Sequence, residues 1–199
     1  VISSLPKSGK CIIKGSLYSV LKSTRGFLLF SFLGNFSVQI VGGAVLIANF
    51  KEKNYLKNWV ETSAAFYRQV LQEYPGIYVF VENMFDFEPD MLVKLAEKLK
   101  EEPYFGVCLD YAHATISKVP AKEWLQVLKP YIKHMHINDN DLKDDLHKAL
   151  GTGKIDYKEF TSILKDSQIE TSVLVEVGNL EEQVISLAYM KEEGIYPFS

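Results

Sequence analysis

Charge of either sign is in short supply as a guide to partners in this chain of 199 residues. Lysine and arginine number 22 against 25 aspartates and glutamates, for a net charge of −3. A nucleic-acid binder ordinarily carries a basic excess, and that footprint is missing from the totals. Cysteine is scarce too. Cys11 and Cys108 are the two in the chain. They lie far apart and give no disulfide framework, so both are expected as thiols in a reducing compartment, the cytoplasm. No basic-then-apolar leader with a cleavage site opens the sequence. It begins at Val1 rather than Met, as a piece of a longer protein would. No glycine-rich phosphate loop follows an early strand, which counts against dinucleotide binding. The four histidines, His113, His134, His136 and His147, all fall in the second half.

Residues 26–50 lack any formal charge, and that length would suit a membrane span. They also hold two Asn, one Gln, two Ser and four Gly, and Val38-Gln39-Ile40-Val41 alternates. Two buried strands joined by a turn fit this content better, so no membrane partner is expected. Overall, 47% hydrophobic and 24% charged residues are enough for one sizeable core.

After residue 50 a rhythm sets in. Leu56, Trp59, Val60, Phe66, Tyr67, Val70, Leu71 and Tyr74 predict an amphipathic helix over 54–74, stopped by Pro75-Gly76. The β-branched and aromatic run 77–82 predicts a strand. Pro89 opens a helix with Met91, Leu92, Leu95 and Leu99 on one face. Strands follow at 105–110, 132–138 and 171–176. Between them come a helix after Pro120, carrying Trp124, Leu125 and Leu128, and one capped by Asp156, carrying Tyr157, Phe160, Ile163 and Leu164. A last helix, about 180–193, is expected to turn Leu180, Val184, Leu187 and Ala188 inward and to end at Gly194. This alternation makes the fold class α/β with a parallel sheet, either an open doubly wound sheet or a closed (β/α) barrel.

The four strands after residue 76 finish on Glu82, Asp110, His136 and Glu176. A single acidic residue at a strand end is ordinarily a helix cap, and a lone strand histidine is ordinarily a satisfied core residue. Four metal-ligand residue types at four successive strand ends point instead to one cation, since barrel strand ends converge on one face. Two Glu, one Asp and one His form a mostly hard-oxygen set suited to Mn, Mg or Co, with Zn also accommodated. Strand alternation puts Phe80 and Tyr78 beneath Glu82, Cys108 beneath Asp110, and His134 beneath His136 as an interior polar residue.

"VFVENMFD", "GVCLDYAHA", "HMHINDND", "DLHKALGTGKIDYKEF" and "VLVEVG", in this order and spacing, resemble the xylose isomerase-like TIM-barrel superfamily. That group joins sugar phosphate isomerases and epimerases with endonuclease IV-type AP endonucleases. The resemblance implies that Glu82, Asp110, His136 and Glu176 hold one divalent ion (Mn, Mg, Co or Zn), with Glu82 and Glu176 also the catalytic acid/base pair. It places His113 near the substrate. The segment 150–157 matches the family's loop before the last βα unit. The implied reaction is isomerisation or epimerisation of a sugar or sugar phosphate by proton transfer next to a carbonyl, through an enediolate. The implied partner is a small carbohydrate. Lys143, Lys148 and Lys154 are read as a solvated face before a phosphate site.

The rival implication is a zinc phosphodiesterase acting on abasic DNA. Asp145-Leu146-His147 looks like the step that, with His113, holds a further zinc in the endonucleases. The two additional upstream histidines of those enzymes have no counterpart here, where glycines stand in the Ile40–Phe50 region. A third reading is an inert barrel fragment. A TIM barrel typically needs about 250 residues, and the first 76 leave room for about two more βα units. We therefore expect a single barrel domain over 1–199, recognisable over 51–199, with 1–50 atypical and the N-terminal half incomplete or rearranged. Exposed strand edges would favour a homo-oligomer.

Overall fold

The computed structural model describes residues 11–14, 36–41, 53–84 and 86–199. Its elements run β1 (Cys11–Lys14), β2 (Phe36–Val41), α1 (Lys53–Glu73), β3 (Tyr78–Glu82), α2 (Asp90–Lys98), β4 (Phe105–Asp110), α3 (Tyr111–Thr115), α4 (Ala121–Leu128), β5 (Ile132–Ile137), α5 (Tyr157–Asp166), β6 (Ser172–Val175) and α6 (Leu180–Glu192). Of the stretch 26–50, β2 is described. The expectation of a second strand and a turn there lies otherwise outside the described residues. No helix among the described residues is long and apolar enough to cross a membrane.

Each strand pairs in parallel with the one before it, in the order β1-β2-β3-β4-β5-β6. A doubly wound sheet reverses direction at a switch point. These six strands do not, so the chain winds in one sense, as a barrel does, and all strand C-termini open on the same side. Of the two architectures the alternation allowed, the barrel winding is the one adopted.

The strands bury both faces, each for a different purpose. Val79, Val81, Val107, Leu109, Met135 and Ile137 pack outward against Leu92, Leu95, Trp124, Leu128, Phe160 and Leu164 of the helices. Phe80, Glu82, Cys108, Asp110, His134 and His136 fill the other face and are almost wholly out of water. The alternation is broken once. The β4–β5 register jumps between Val107↔Ile132 and Cys108↔His134. Lys133 is the extra residue of this bulge and stays exposed. Gly106 faces it, where a Cβ would stand 2.3 Å from Lys133 Cγ. The bulge lets Ile132 join the outer core while His134 and His136 point inward.

Proline and side-chain caps set the helix starts as the sequence suggests. Pro89 and Pro120 precede α2 and α4, and Asp156 accepts the N–H groups of Lys158 and Glu159 at the start of α5. α6 corrects most of the expected inward face, of which Leu187 packs against the core. Leu180, Val184 and Ile185 are 67%, 57% and 42% exposed, and Ala188 is exposed too. Ser186 and Met190 are buried instead. Ser186 faces inward because its hydroxyl accepts the Leu150 N–H at 3.0 Å and donates to Glu182 O at 2.7 Å. That bond ties α6 to the loop after β5.

Candidate metal centre

β3 and β4 end on Glu82 and Asp110, His136 is the penultimate residue of β5, and Glu176 follows β6, docked by its N–H on Ile137 O at 2.9 Å. One ligand-type atom from each of the four lies within 4.8 Å of the others. Nδ1 of His136 stands 3.0 Å from Glu82 Oε1 and is in closer contact with Glu176. Three carboxylates this near one another repel, and a dication removes that repulsion. The donor set, three carboxylates and one imidazole in a dry pocket, fits a hard or borderline divalent ion.

Asp110 carries two duties. Its Oδ1 accepts the His113 N–H at 2.9 Å and caps α3, a five-residue helix absent from the sequence reading. Its Oδ2 stands 3.5 Å from Asn138 Nδ2 and 4.0 Å from His113 Nδ1. Burial pushes the Asp110 carboxyl up, and Glu82 adds to the rise while His113 opposes it. Asn83 holds the Asp110 backbone at both ends. Its Nδ2 donates to Asp110 O at 2.9 Å, and its Oδ1 accepts the Asp110 N–H at 2.8 Å.

His113, Asp145 and His147 form a second group within the same 4.8 Å limit. His113 Nδ1 donates to Asn83 O at 2.7 Å, and His147 Nδ1 donates to Glu176 O at 3.0 Å. Both Nε2 atoms then face Asp145 Oδ2 at 3.2 Å. Rings pinned at one nitrogen by a carbonyl and aimed with the other at a shared point are oriented as metal ligands are. Burial opposes the charged ring of His113, yet Asp110 and Asp145 outweigh it and lift the ring to about 9. Burial also works against Asp145, but hydrogen bonds from both histidines hold its carboxyl below the usual carboxylate range. His147 sits at φ 48°, in the left-handed region, so the backbone is bent to deliver this ring.

Asp139 organises the loop that bears Asp145 and His147. It is buried, and its carboxylate accepts N–H groups from Asn140, Gly151, Gly153 and Ile155 at 2.9–3.1 Å. Its backbone exchanges two bonds with Lys148, each 2.8 Å. At Gly153 a Cβ would lie 2.2 Å from Asp139 Oδ1. Asn83, Asn138 and Asp139 all escaped the sequence reading. The available signal was an amide or carboxylate placed just past a strand end, in "VEN" and "HIND". Lys143 and Lys154 are exposed and Lys148 half-buried, the solvated face expected of them.

His134 lies a layer deeper, stacked on Phe80 at 6.2 Å and edge-on to His136 at 5.3 Å. Burial, with His136 beside it, lowers its ring to about 3. Burial likewise pushes the Cys108 thiol well up, with Glu82 and Asp110 adding to the effect.

A singly wound parallel sheet with polar side chains gathered at its strand C-termini defines an α/β-barrel protein with its working face at those ends. The chain belongs to the xylose isomerase-like TIM barrel family, whose model matches residues 31–193. It is 29% identical over 132 residues to an uncharacterized protein of Methanocaldococcus jannaschii, covering 62% of this chain and 44% of that one. It is 32% identical over 95 residues to a probable endonuclease 4 of Protochlamydia amoebophila, covering 40% of this chain and 33% of that one. Among solved structures, a D-tagatose 3-epimerase-like protein shares the fold with a TM-score of 0.64 at 23% identity, over 78% of this chain and 61% of that one. The chain thus spans less than half the length of these two curated relatives.

Proposed function

We propose that the chain carries the metal centre of a sugar isomerase or epimerase. Glu82, Asp110, His136 and Glu176 hold one divalent ion, and Glu82 and Glu176 act as the acid/base pair. The observation that supports this is the convergence of four ligand-type groups from four successive strand ends within 4.8 Å. The epimerase-like name of a structural relative agrees with it. A divalent ion held there would polarise a substrate carbonyl and bind the neighbouring hydroxyl. Glu82 and Glu176 come from strands three places apart in the sheet, so they approach a substrate from different sides. One carboxylate takes the proton next to the carbonyl and the other returns one, to the adjacent carbon or the opposite face. His113, capped into place by Asp110, lines the same mouth. A small carbohydrate is the proposed ligand, and the buried free thiol of Cys108 supports a reducing, cytoplasmic setting. Among the described strands β1 and β6 pair on one side only, which supports association with a second copy.

The test is metal analysis of the purified protein together with Glu82→Gln and Glu176→Gln. Expected are one hard divalent ion per chain and a ketose or aldose interconversion that drops by about 100-fold or more in each variant. Folded variants that keep full activity would overturn the assignment.

The His113, Asp145 and His147 group favours a second reading, a zinc phosphodiesterase acting on abasic DNA, in line with the name of the Protochlamydia relative. That reading expects zinc in excess of one per chain and cleavage of an abasic duplex. An inert barrel portion expects neither activity.

A further inference from the structure

Beneath the mouth carboxylates lies a softer set of donors. Cys108 on β4 and His134 on β5 are partners in register, and His136 stands two residues further along β5. One donor atom from each lies within 4.8 Å of the other two, and all three residues are buried. The surroundings leave these atoms unspent. His134 Nδ1 is engaged by Ser172 Oγ at 2.8 Å, while its Nε2 is buried without a hydrogen-bond partner. His136 turns Nδ1 toward Glu82 and Glu176, and its Nε2 is likewise buried without a hydrogen-bond partner. Buried polar atoms in folded proteins nearly always find partners, so two unmatched ring nitrogens beside a thiol call for a ligand.

We propose that Cys108, His134 and His136 form an inner site for a thiophilic cation of the zinc(II) or copper(I) class. It is separate in chemistry from the hard-oxygen centre above it. Thiolate and imidazole donors select such ions, as carboxylates do not. The thiol proton passes to solvent as the sulfur–metal bond forms, so one proton is released per ion bound. His136 is common to both sets, which couples their occupancy. The inner site does not depend on the sugar chemistry proposed above.

Metal-stripped full chain is titrated with cobalt(II), a spectroscopic stand-in for zinc, and followed by near-ultraviolet absorption. A thiolate-to-cobalt charge-transfer band is expected, its final amplitude that of one sulfur-bound ion per chain. It persists in Cys11→Ser and Glu176→Gln, disappears in Cys108→Ser, and needs at least about tenfold more cobalt in His134→Gln. The carboxylate centre has no sulfur and contributes no such band, so loss of sugar activity with the band intact tells against that function and not against this site. Should Cys108→Ser fail to fold, Cys11→Ser decides alone, because Cys108 is then the sole thiol. A folded Cys11→Ser protein without the band, or a band surviving in Cys108→Ser, overturns the proposal.

Discussion

Asp110 divides its two oxygens between a helix cap and the mouth of the barrel, and the two roles can be separated by substitution. Asp110→Asn keeps an oxygen for the His113 N–H and removes the charge. Its thermal stability should stay near that of the parent while divalent-ion affinity falls by more than about 100-fold, beyond what losing a supporting group costs. Asp110→Ala should lose a further ~1 kcal/mol through the missing cap. Calorimetry and metal titration of the two variants side by side check this, and equal stabilities would remove the capping role. The interior histidine makes a pH prediction. His134 is held at about 3 in the folded chain, against roughly 6.5 when unfolded. The unfolded chain therefore binds a proton that the folded chain refuses. The stability this neutral ring supports is full above about 6.5 and is lost as pH falls from there toward 3. Between pH 6 and 4 the unfolding free energy of the parent should fall more steeply than that of His134→Gln, by about 1.4 kcal/mol per pH unit. Parallel urea-unfolding profiles of the two proteins would contradict it.

At the scale of elements, the loop between β5 and α5 is built around one carboxylate. Asp139 receives four backbone N–H groups from it, so Asp139→Ala leaves two buried and two partly buried donors unmatched. The expected loss is about 3 kcal/mol or more, with faster proteolysis within residues 140–153. Gly153→Ala should act the same way, since its Cβ would collide with Asp139 Oδ1 at 2.2 Å. Urea unfolding and limited proteolysis read both, and an Asp139→Ala protein as stable as the parent would refute this account of the loop. The helices and strands themselves were legible from spacing: α1, α2, α4, α5 and β3 to β6 fall where the apolar periods put them, within a residue or two. α6 also spans the expected residues, but its buried face was not legible, because apolar residues are spread around its whole circumference. Which side is buried was decided by Ser186, whose partner Leu150 lies 36 residues away. The Lys133 bulge was equally hidden, because an extra residue is defined only against a neighbouring strand.

For the whole molecule, an ion that binds the folded chain alone must stabilise it. At a free concentration 100 times its dissociation constant the gain is about 2.7 kcal/mol, or roughly 5–10 °C in melting temperature for a chain of this size. Metal-stripped protein should therefore melt lower than protein supplied with Mn²⁺ or Co²⁺, and the difference should shrink in Glu82→Gln and Glu176→Gln. Identical melting curves with and without ion in the parent would argue against any metal centre in the fold.

The sequence by itself determined the α/β alternation, the helix starts and the strand ends that carry Glu82, Asp110, His136 and Glu176. Those features follow from local propensity and from periods of two and 3.6 residues, which the chain expresses without reference to distant parts. Only the tertiary structure decided the sense of winding, the pairing of Cys108 with His134, the Asn83 and Asp139 clamps and the buried side of α6. Each of these depends on which residue a side chain meets elsewhere in the chain, from the loop partners of Asp139 to the 36 positions between Leu150 and Ser186, and that is set by tertiary packing and not by local periodicity.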